Sequence, residues 1–124
     1  MTINTRSDVL YEIGEGEKKC SLPKNCIDAI ASALNIILNS SLQANTVLLY
    51  GSRARGNAKF ESDIDLLVLL DSPFKASDVA KARSLLSVVF PEVDAHFMLS
   101  KEYDSYSNTY MNNVKKDGVI IWNR

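Results

Sequence analysis

The segment Ile64–Leu70 constrains the fold of this chain more than any other part of the sequence. Every residue in it except Asp65 is apolar, and a run of this kind is typical of a central β-strand that is covered on both faces. The turn sequence Asp71-Ser72-Pro73 ends the run. A strand covered on both faces requires neighbouring strands and packed helices, so we expect a layered fold that contains both.

The rest of the chain supplies the other elements of such a fold. Apolar residues recur at three- and four-residue steps in two segments, which indicates amphipathic helices, and β-rich runs occur in several others. The predicted helices are residues 24–39 and 75–90 with a short one inside 53–60, and the predicted strands are 46–50, 64–70, 93–99 and 119–122. Ser100 is a candidate cap for a further helix in the polar segment after it. The order of these elements predicts an α+β fold, with a small mixed β-sheet and helices mainly on one face.

The amino-terminal segment shows less regular hydrophobic periodicity than the rest of the chain. The chain has 124 residues, which fits one compact domain. Gly14 and Gly16 stand among charged residues and interrupt any regular pattern near the amino terminus. We therefore expect residues 1–21 to form a weakly organised arm or an element that docks on another surface, and residues 22–124 to form a single domain.

Composition limits the classes of partner. The formal net charge of −1 argues against direct nucleic-acid binding. No apolar run reaches the ~18 residues that a membrane helix needs, so we expect a soluble cytoplasmic protein without membrane contact. The spacing of Cys20 and Cys26 matches no zinc or redox pattern, and both are predicted to be free thiols in a reducing compartment.

Asp63 and Asp65 stand two residues apart at the start of the apolar run. In a strand both side chains would point to the same face, roughly 6–7 Å apart along the backbone. Two carboxylates this close repel each other unless cations lie between them. Mg²⁺ is usually held by one or two carboxylates together with substrate phosphates, and two such ions can hold the attacking and leaving oxygens of a displacement at phosphorus. The alternative is that both aspartates are simply exposed to solvent where the strand begins. The Asp-x-Asp pattern alone would favour this alternative.

A glycine–serine pair supplies the phosphate side of the hypothesis. Gly51 and Ser52 directly follow the predicted strand 46–50, where unpaired backbone N–H groups would attract an anion. Gly51 lets the backbone approach a phosphate closely because it has no side chain. Arg53 and Arg55 add positive charge and are candidate nucleotide contacts, although solvated surface arginines are equally ordinary.

A third carboxylate is expected from a neighbouring strand. In the predicted strand 93–99, Asp94 and His96 fall on one face and apolar residues on the other. If this strand lies beside residues 64–70, Asp94 can complete a metal site or act as a base on the attacking hydroxyl. Glu92 is the competing candidate, and His96 is interpreted as a structural residue more readily than as part of the site.

Aromatic residues near the carboxyl terminus have two interpretations. Tyr103, Tyr106 and Tyr110 recur at three- and four-residue steps. Packing of a helix on the sheet or on a partner is favoured over a stacking platform for a base. Trp122 is predicted to be a core residue.

The sequence Gly-Ser, a basic loop with glycine, and then Ser-Asp-x-Asp-Leu before an apolar run resembles the nucleotidyltransferase superfamily related to DNA polymerase β. The short chain resembles the minimal nucleotidyltransferases of that superfamily. The resemblance spans residues 25–122, and its specific part is 51–66. It implies that Gly51 and Ser52 bind a nucleoside triphosphate. It further implies that Asp63, Asp65 and Asp94 are catalytic and hold two Mg²⁺ ions.

The resemblance also implies a partner. Minimal nucleotidyltransferases are often antitoxins paired with a helical HEPN toxin, and they transfer AMP from ATP onto a toxin tyrosine. One alternative is transfer to a small molecule such as an aminoglycoside, which could bind across the interface of a homo-oligomer. Another is an antitoxin that neutralises its partner by contact alone, without catalysis.

Overall fold

The structure is a computed structural model that describes residues 9–59 and 61–124. Its strands and helices agree closely with the segments predicted between residues 24 and 99. Among the described residues the strands are β1 (Leu10–Ile13), β2 (Cys20–Pro23), β3 (Ala44–Tyr50), β4 (Ile64–Leu70), β5 (Val93–Leu99) and β6 (Val119–Asn123). The helices are α1 (Lys24–Leu38), α2 (Gly51–Arg55), α3 (Ala76–Val89), α4 (Ser100–Ser105) and α5 (Thr109–Asp117).

The main sheet has the strand order β5-β4-β3-β6. β3 pairs antiparallel with both β4 and β6, whereas β4 pairs parallel with β5. A parallel pair needs a crossover connection, and α3 provides it between β4 and β5. The predicted mixed sheet is therefore confirmed.

Both faces of β4 are covered, as its apolar run predicts. Ile64, Leu66 and Val68 are at most 1% exposed and belong to the larger core cluster, which includes residues of α1 and α3. Leu67 and Leu69 point to the opposite face and pack in a smaller cluster with residues of α5. Strand alternation produces this division, and each fully buried leucine contributes about 1.5–3 kcal/mol relative to exposure.

The amino-terminal segment is more ordered than predicted. β1 and β2 form an antiparallel hairpin, and Leu22 is 2% exposed in the main core. The backbone N–H of Glu15 donates to the carbonyl of Ile120 at 2.7 Å, so the hairpin also contacts β6. Gly14 and Gly16, which were interpreted as breaks, have φ values of 130° and 86° and allow the turn of this hairpin. Of the two alternatives for residues 1–21, the described part matches an element that docks, and residues 1–8 lie outside the described residues.

The segment after β5 forms two helices. Ser100 is not a cap, because it is the first residue of α4 and its hydroxyl instead accepts a hydrogen bond from the Asn45 side chain. The cap is found at α5, where Asn108 Oδ1 accepts from the backbone N–H of Met111 at 2.8 Å. Cys20 and Cys26 are free thiols, as predicted. Across the part of the chain that the structure describes, no helix is long and apolar enough to span a bilayer.

Candidate active site

Three side chains form a row across the sheet. Tyr50 of β3 lies opposite Asp65 of β4, and Asp65 lies opposite Asp94 of β5. Paired residues on adjacent strands share a face, and the strands are about 4.8 Å apart. The predicted placement of Asp94 beside Asp65 is therefore what the strand register provides.

Gly51 lies against the carboxylate of Asp65. It follows Tyr50 directly, begins α2 and has a φ of 75°, in the left-handed region. A Cβ atom added at this position would collide with Oδ2 of Asp65 and lie 3.3 Å from its Cγ. Only glycine allows this approach, so the glycine–serine bend and the carboxylate form one site. Ser52 is partly buried in the same turn of α2.

Asp63 is exposed and precedes the first residue of β4. The segment before it is held by two hydrogen bonds to Ser62. Arg53 Nη2 donates to the Ser62 carbonyl at 3.0 Å, and the backbone N–H of Lys59 donates to Ser62 Oγ at 2.8 Å. Arg53, which was predicted as a nucleotide contact, thus holds the backbone of the residue that directly precedes Asp63.

The carboxylates interact electrostatically. Burial raises the pKa of Asp65 above its usual value, and the negative charges of Asp94 and Asp63 raise that pKa further. The positive charges of His96 and Arg55 act in the opposite direction on the same pKa. A half-buried carboxylate with two acidic neighbours is a site where a cation would relieve repulsion.

His96 belongs to the site more closely than the sequence suggested. Its Nε2 lies 3.3 Å from Oδ2 of Asp94, the residue two positions earlier on the same face of β5. Both side chains are a little under half exposed. The alternation of Asp94 and His96 along the strand was the signal for this proximity.

Glu92, the competitor of Asp94, lies elsewhere. Its backbone carbonyl accepts a hydrogen bond from the N–H of Ile64 at 2.7 Å. Burial is the main cause that raises the pKa of the Cys26 thiol, and the charge of Glu92 raises that pKa further. The charges that shift the pKa of Asp65 include Asp94 and not Glu92. The strand register and the electrostatics both favour Asp94 as the third carboxylate.

Arg55 links the site to α5. Its Nη1 lies 3.3 Å from Oδ2 of Asp117 in an ion pair, while its charge lowers the pKa of Asp65. The charge of Arg53 acts on the pKa of Cys26 and not on that of Asp65. Of the two arginines, Arg55 is therefore the one that is electrostatically coupled to the carboxylates.

Tyr50 adjoins the carboxylates although the sequence pattern did not single it out, and it contacts Tyr110, which the sequence offered for packing or for stacking on a base. Tyr50 is 8% exposed, and its hydroxyl lies 2.9 Å from that of Tyr110 on α5, with the rings edge to face. Burial raises the pKa of Tyr50 strongly, and the hydrogen bond to Tyr110 and the charges of Asp65 and Asp94 add to this effect. Tyr103, by contrast, packs on the smaller core cluster as predicted. The position of Tyr50 directly before Gly51 was the available signal.

The donor set fits a divalent cation that is shared with a nucleotide. Within residues 9–59 and 61–124, no group of three or more His, Cys, Asp or Glu side chains converges tightly enough to hold a metal ion alone. Asp65 and Asp94 form a close pair, with Asp63 in electrostatic range. Mg²⁺ commonly takes one or two carboxylates and completes its shell with phosphates and water, so these residues suit it.

Solved structures with a similar fold include toxin–antitoxin complexes. A chain of a toxin–antitoxin crystal structure with AMP-PNP is 19% identical, with a TM-score of 0.57, over 78% of this chain and 73% of that one. A candidate nucleotidyltransferase from Sulfolobus solfataricus is 23% identical, with a TM-score of 0.53, over 82% and 79%. A chain of a complex between a tri-AMPylated Shewanella oneidensis HEPN toxin and its MNT antitoxin is 16% identical, with a TM-score of 0.56, over 79% and 72%.

These likenesses establish a shared fold. A search of curated proteins found no match to this chain. The family model described as "Polymerase beta, Nucleotidyltransferase" matches residues 33–124, a stretch that contains the glycine–serine bend and all three carboxylates. This protein therefore belongs to the polymerase β nucleotidyltransferase family.

Proposed function

We propose that this protein is a Mg²⁺-dependent nucleotidyltransferase that moves AMP from ATP onto a hydroxyl of a partner protein, and that it is the antitoxin of a HEPN/MNT pair. The observation that carries the proposal is the close approach of Gly51 to the carboxylate of Asp65, which itself lies opposite Asp94. The reaction needs a triphosphate and metal-binding carboxylates side by side, and this arrangement brings their binding groups together.

The chain's own residues bind and orient the reactants. Gly51 and Ser52 would hold the triphosphate through the backbone of α2, and Arg55 would add positive charge beside it. Asp63, Asp65 and Asp94 would hold two Mg²⁺ ions. When bound, Mg²⁺ supplies positive charge to the attacking and leaving oxygens of the displacement. Asp94 would accept the proton of the attacking hydroxyl, and His96 would orient its carboxylate.

The compared proteins support a protein as the acceptor. One of them is a toxin–antitoxin pair with AMP-PNP, and another contains a tri-AMPylated HEPN toxin. Those descriptions concern proteins at most 19% identical to this one, and they support a protein hydroxyl as the acceptor here. The described residues form a four-stranded sheet with its helices and a two-stranded hairpin, and they include no second lobe that would enclose a small acceptor.

The test is transfer of label from ATP to the HEPN-type protein encoded nearest to this chain in its genome. The native chain with Mg²⁺ should label that protein, and the Asp63→Asn/Asp65→Asn variant should not. Asp28→Asn is the matched control, because Asp28 is exposed on α1 and forms its ion pair with Lys24 of the same helix. Asp28→Asn should label the partner at the native rate.

Two results would contradict the proposal. Equal labelling by the native chain and the double variant would remove the carboxylates from the chemistry. Protection of cells from the toxin by the double variant would mean that contact alone neutralises the toxin, so the enzymatic account of antitoxin action would fail.

A further inference from the structure

Tyr110 combines two properties that are seldom found together beside a catalytic centre. Its side chain lies on α5, and the residue as a whole is 57% exposed. The same hydroxyl lies 2.9 Å from that of the buried Tyr50, which holds it in place. Tyr110 is thus a largely exposed residue whose hydroxyl is oriented by a hydrogen bond.

Tyr50, which holds the hydroxyl of Tyr110, belongs to the row of three side chains across the sheet. Tyr50 is the strand partner of Asp65, which is the strand partner of Asp94. Tyr50 also directly precedes Gly51, which lies against the Asp65 carboxylate. The Tyr110 hydroxyl is therefore one hydrogen bond away from the side chain that borders both the carboxylates and the glycine–serine bend.

The other tyrosines near the carboxyl terminus lack this relationship. Tyr103 is partly buried against the smaller core cluster, and its ring centre lies 5.1 Å from the ammonium of Lys115. Tyr106 is 48% exposed, close to the exposure of Tyr110, but it lies in the segment between α4 and α5. Tyr106 is therefore a control for exposure without anchoring at the site.

We propose that Tyr110 is an acceptor for the chain's own activity, so that the protein adenylylates itself on this hydroxyl when no protein partner is present. The inference rests on the proposed function, because it uses the same ATP and the same carboxylates. A bond forms between Tyr110 Oη and the α-phosphorus, and the bond from that phosphorus to the oxygen bridging to the β-phosphorus breaks. Pyrophosphate leaves with the electron pair, and Asp94 accepts the phenol proton and releases it to bulk water.

The reaction has a defined stoichiometry and molecularity. The acceptor and the carboxylates belong to one chain, so the fraction of chains modified per minute should not depend on protein concentration. One hydroxyl is anchored at the site, so modification should stop at one AMP per chain. An adenylyl group at this position would also lie beside the glycine–serine bend and would compete with the next ATP.

The experiment incubates the purified full chain with ATP and Mg²⁺ and follows its intact mass, with peptide mapping of the product. The native chain and Tyr106→Phe should gain one AMP on Tyr110, and Tyr110→Phe should gain none. Tyr50→Phe should slow the labelling of Tyr110 about tenfold, because the hydrogen bond that orients the acceptor is lost. Asp65→Asn should abolish labelling.

A parallel incubation with the HEPN-type protein separates this inference from the proposed function. If the partner is labelled and Tyr110 of the isolated chain is not, self-modification is refuted and the nucleotidyltransferase proposal stands. If neither is labelled, both are refuted. Label on another residue, or labelling whose rate per chain rises with protein concentration, also overturns the assignment of Tyr110 as an acceptor within its own chain.

Discussion

Asp65 lies directly opposite Asp94 across the parallel pair of β4 and β5, and its carboxylate lies against the backbone of Gly51. Burial and the charge of Asp94 both raise the pKa of Asp65. This part of the fold is therefore less stable than its packing would allow, because the site holds like charges close together. Sites that bind cations or react commonly reduce stability in this way.

Asp65→Asn should stabilise the chain at neutral pH in the absence of metal. The folded-state pKa of Asp65 lies above its usual value of 3.8, so the folded chain binds more protons at this carboxyl than the unfolded chain between those two pKa values. Stability therefore falls as pH rises through that interval, and the full loss is present above the folded-state pKa. Thermal unfolding in a chelator should give the variant a higher Tm by a few degrees at pH 7, and a smaller difference near about pH 4. A lower Tm for the variant at pH 7 would contradict the electrostatic account.

Gly51→Ala should cost both stability and activity, and Gly56→Ala should cost stability alone. Both glycines have positive φ values, 75° and 83°, where a Cβ atom costs about 1–2 kcal/mol. Only at Gly51 would the Cβ also collide with Asp65, whereas at Gly56 no atom of the described residues, its chain neighbours aside, lies within 4 Å of that position. Urea denaturation should show a loss of about 1–2 kcal/mol for Gly56→Ala and at least as much for Gly51→Ala. Nucleotide transfer should fall about 100-fold or more only in Gly51→Ala, and equal activities would separate Gly51 from the site.

Asp94→Asn and Glu92→Gln should separate the two candidates for the third carboxylate. Asp94 adjoins Asp65 through the strand register, while Glu92 acts on the pKa of Cys26. Asp94→Asn should lower the rate of nucleotide transfer by about 100-fold or more, as is common for loss of a general base. Glu92→Gln should retain a rate near that of the native chain. The reverse outcome in steady-state kinetics would exchange the two assignments.

The hairpin of β1 and β2 should contribute to global stability. Leu22 is 2% exposed, whereas Leu10 of the same hairpin is 55% exposed. Leu22→Ala should lower the free energy of unfolding by about 2–5 kcal/mol, because it leaves a cavity in the core. Leu10→Ala should change it by less than about 0.5 kcal/mol. Equal and small effects in chemical denaturation would mean that the hairpin detaches without unfolding the sheet.

The hairpin was missed because its order depends on distant contacts. Gly14 and Gly16 were interpreted as breaks, yet glycine is also the residue that a tight turn with positive φ requires. The turn is stabilised by residues far along the chain, such as Lys115 and Lys116, whose carbonyls accept from Lys18 Nζ at 3.2 and 2.7 Å. A local pattern contains no information about partners at that distance.

The buried strands were predictable because their signal is local. A continuous apolar run indicates a strand that is covered on both faces, and alternation of apolar and polar residues indicates a strand that is covered on one face. β4 and β5 therefore begin and end at the predicted residues. The acidic pair and the glycine–serine bend were identifiable for a similar reason, since the chemistry of phosphate and metal binding restricts residue types over a short stretch. The assignment of their roles stays a prediction until the variants above are measured.

The sequence by itself identified Gly51, Ser52, Asp63 and Asp65 as candidate site residues, because their types and spacing form a pattern within one short stretch of the chain. Only the tertiary structure decided that Asp94 and not Glu92 adjoins Asp65, and that Tyr50 and Tyr110 border the same site. The physical reason is register. Parallel pairing of β4 with β5 is set by how α3 packs on the sheet, and the position of α5 is set by its packing on the opposite face. Both depend on contacts summed over the whole core, and no short segment of the chain encodes them.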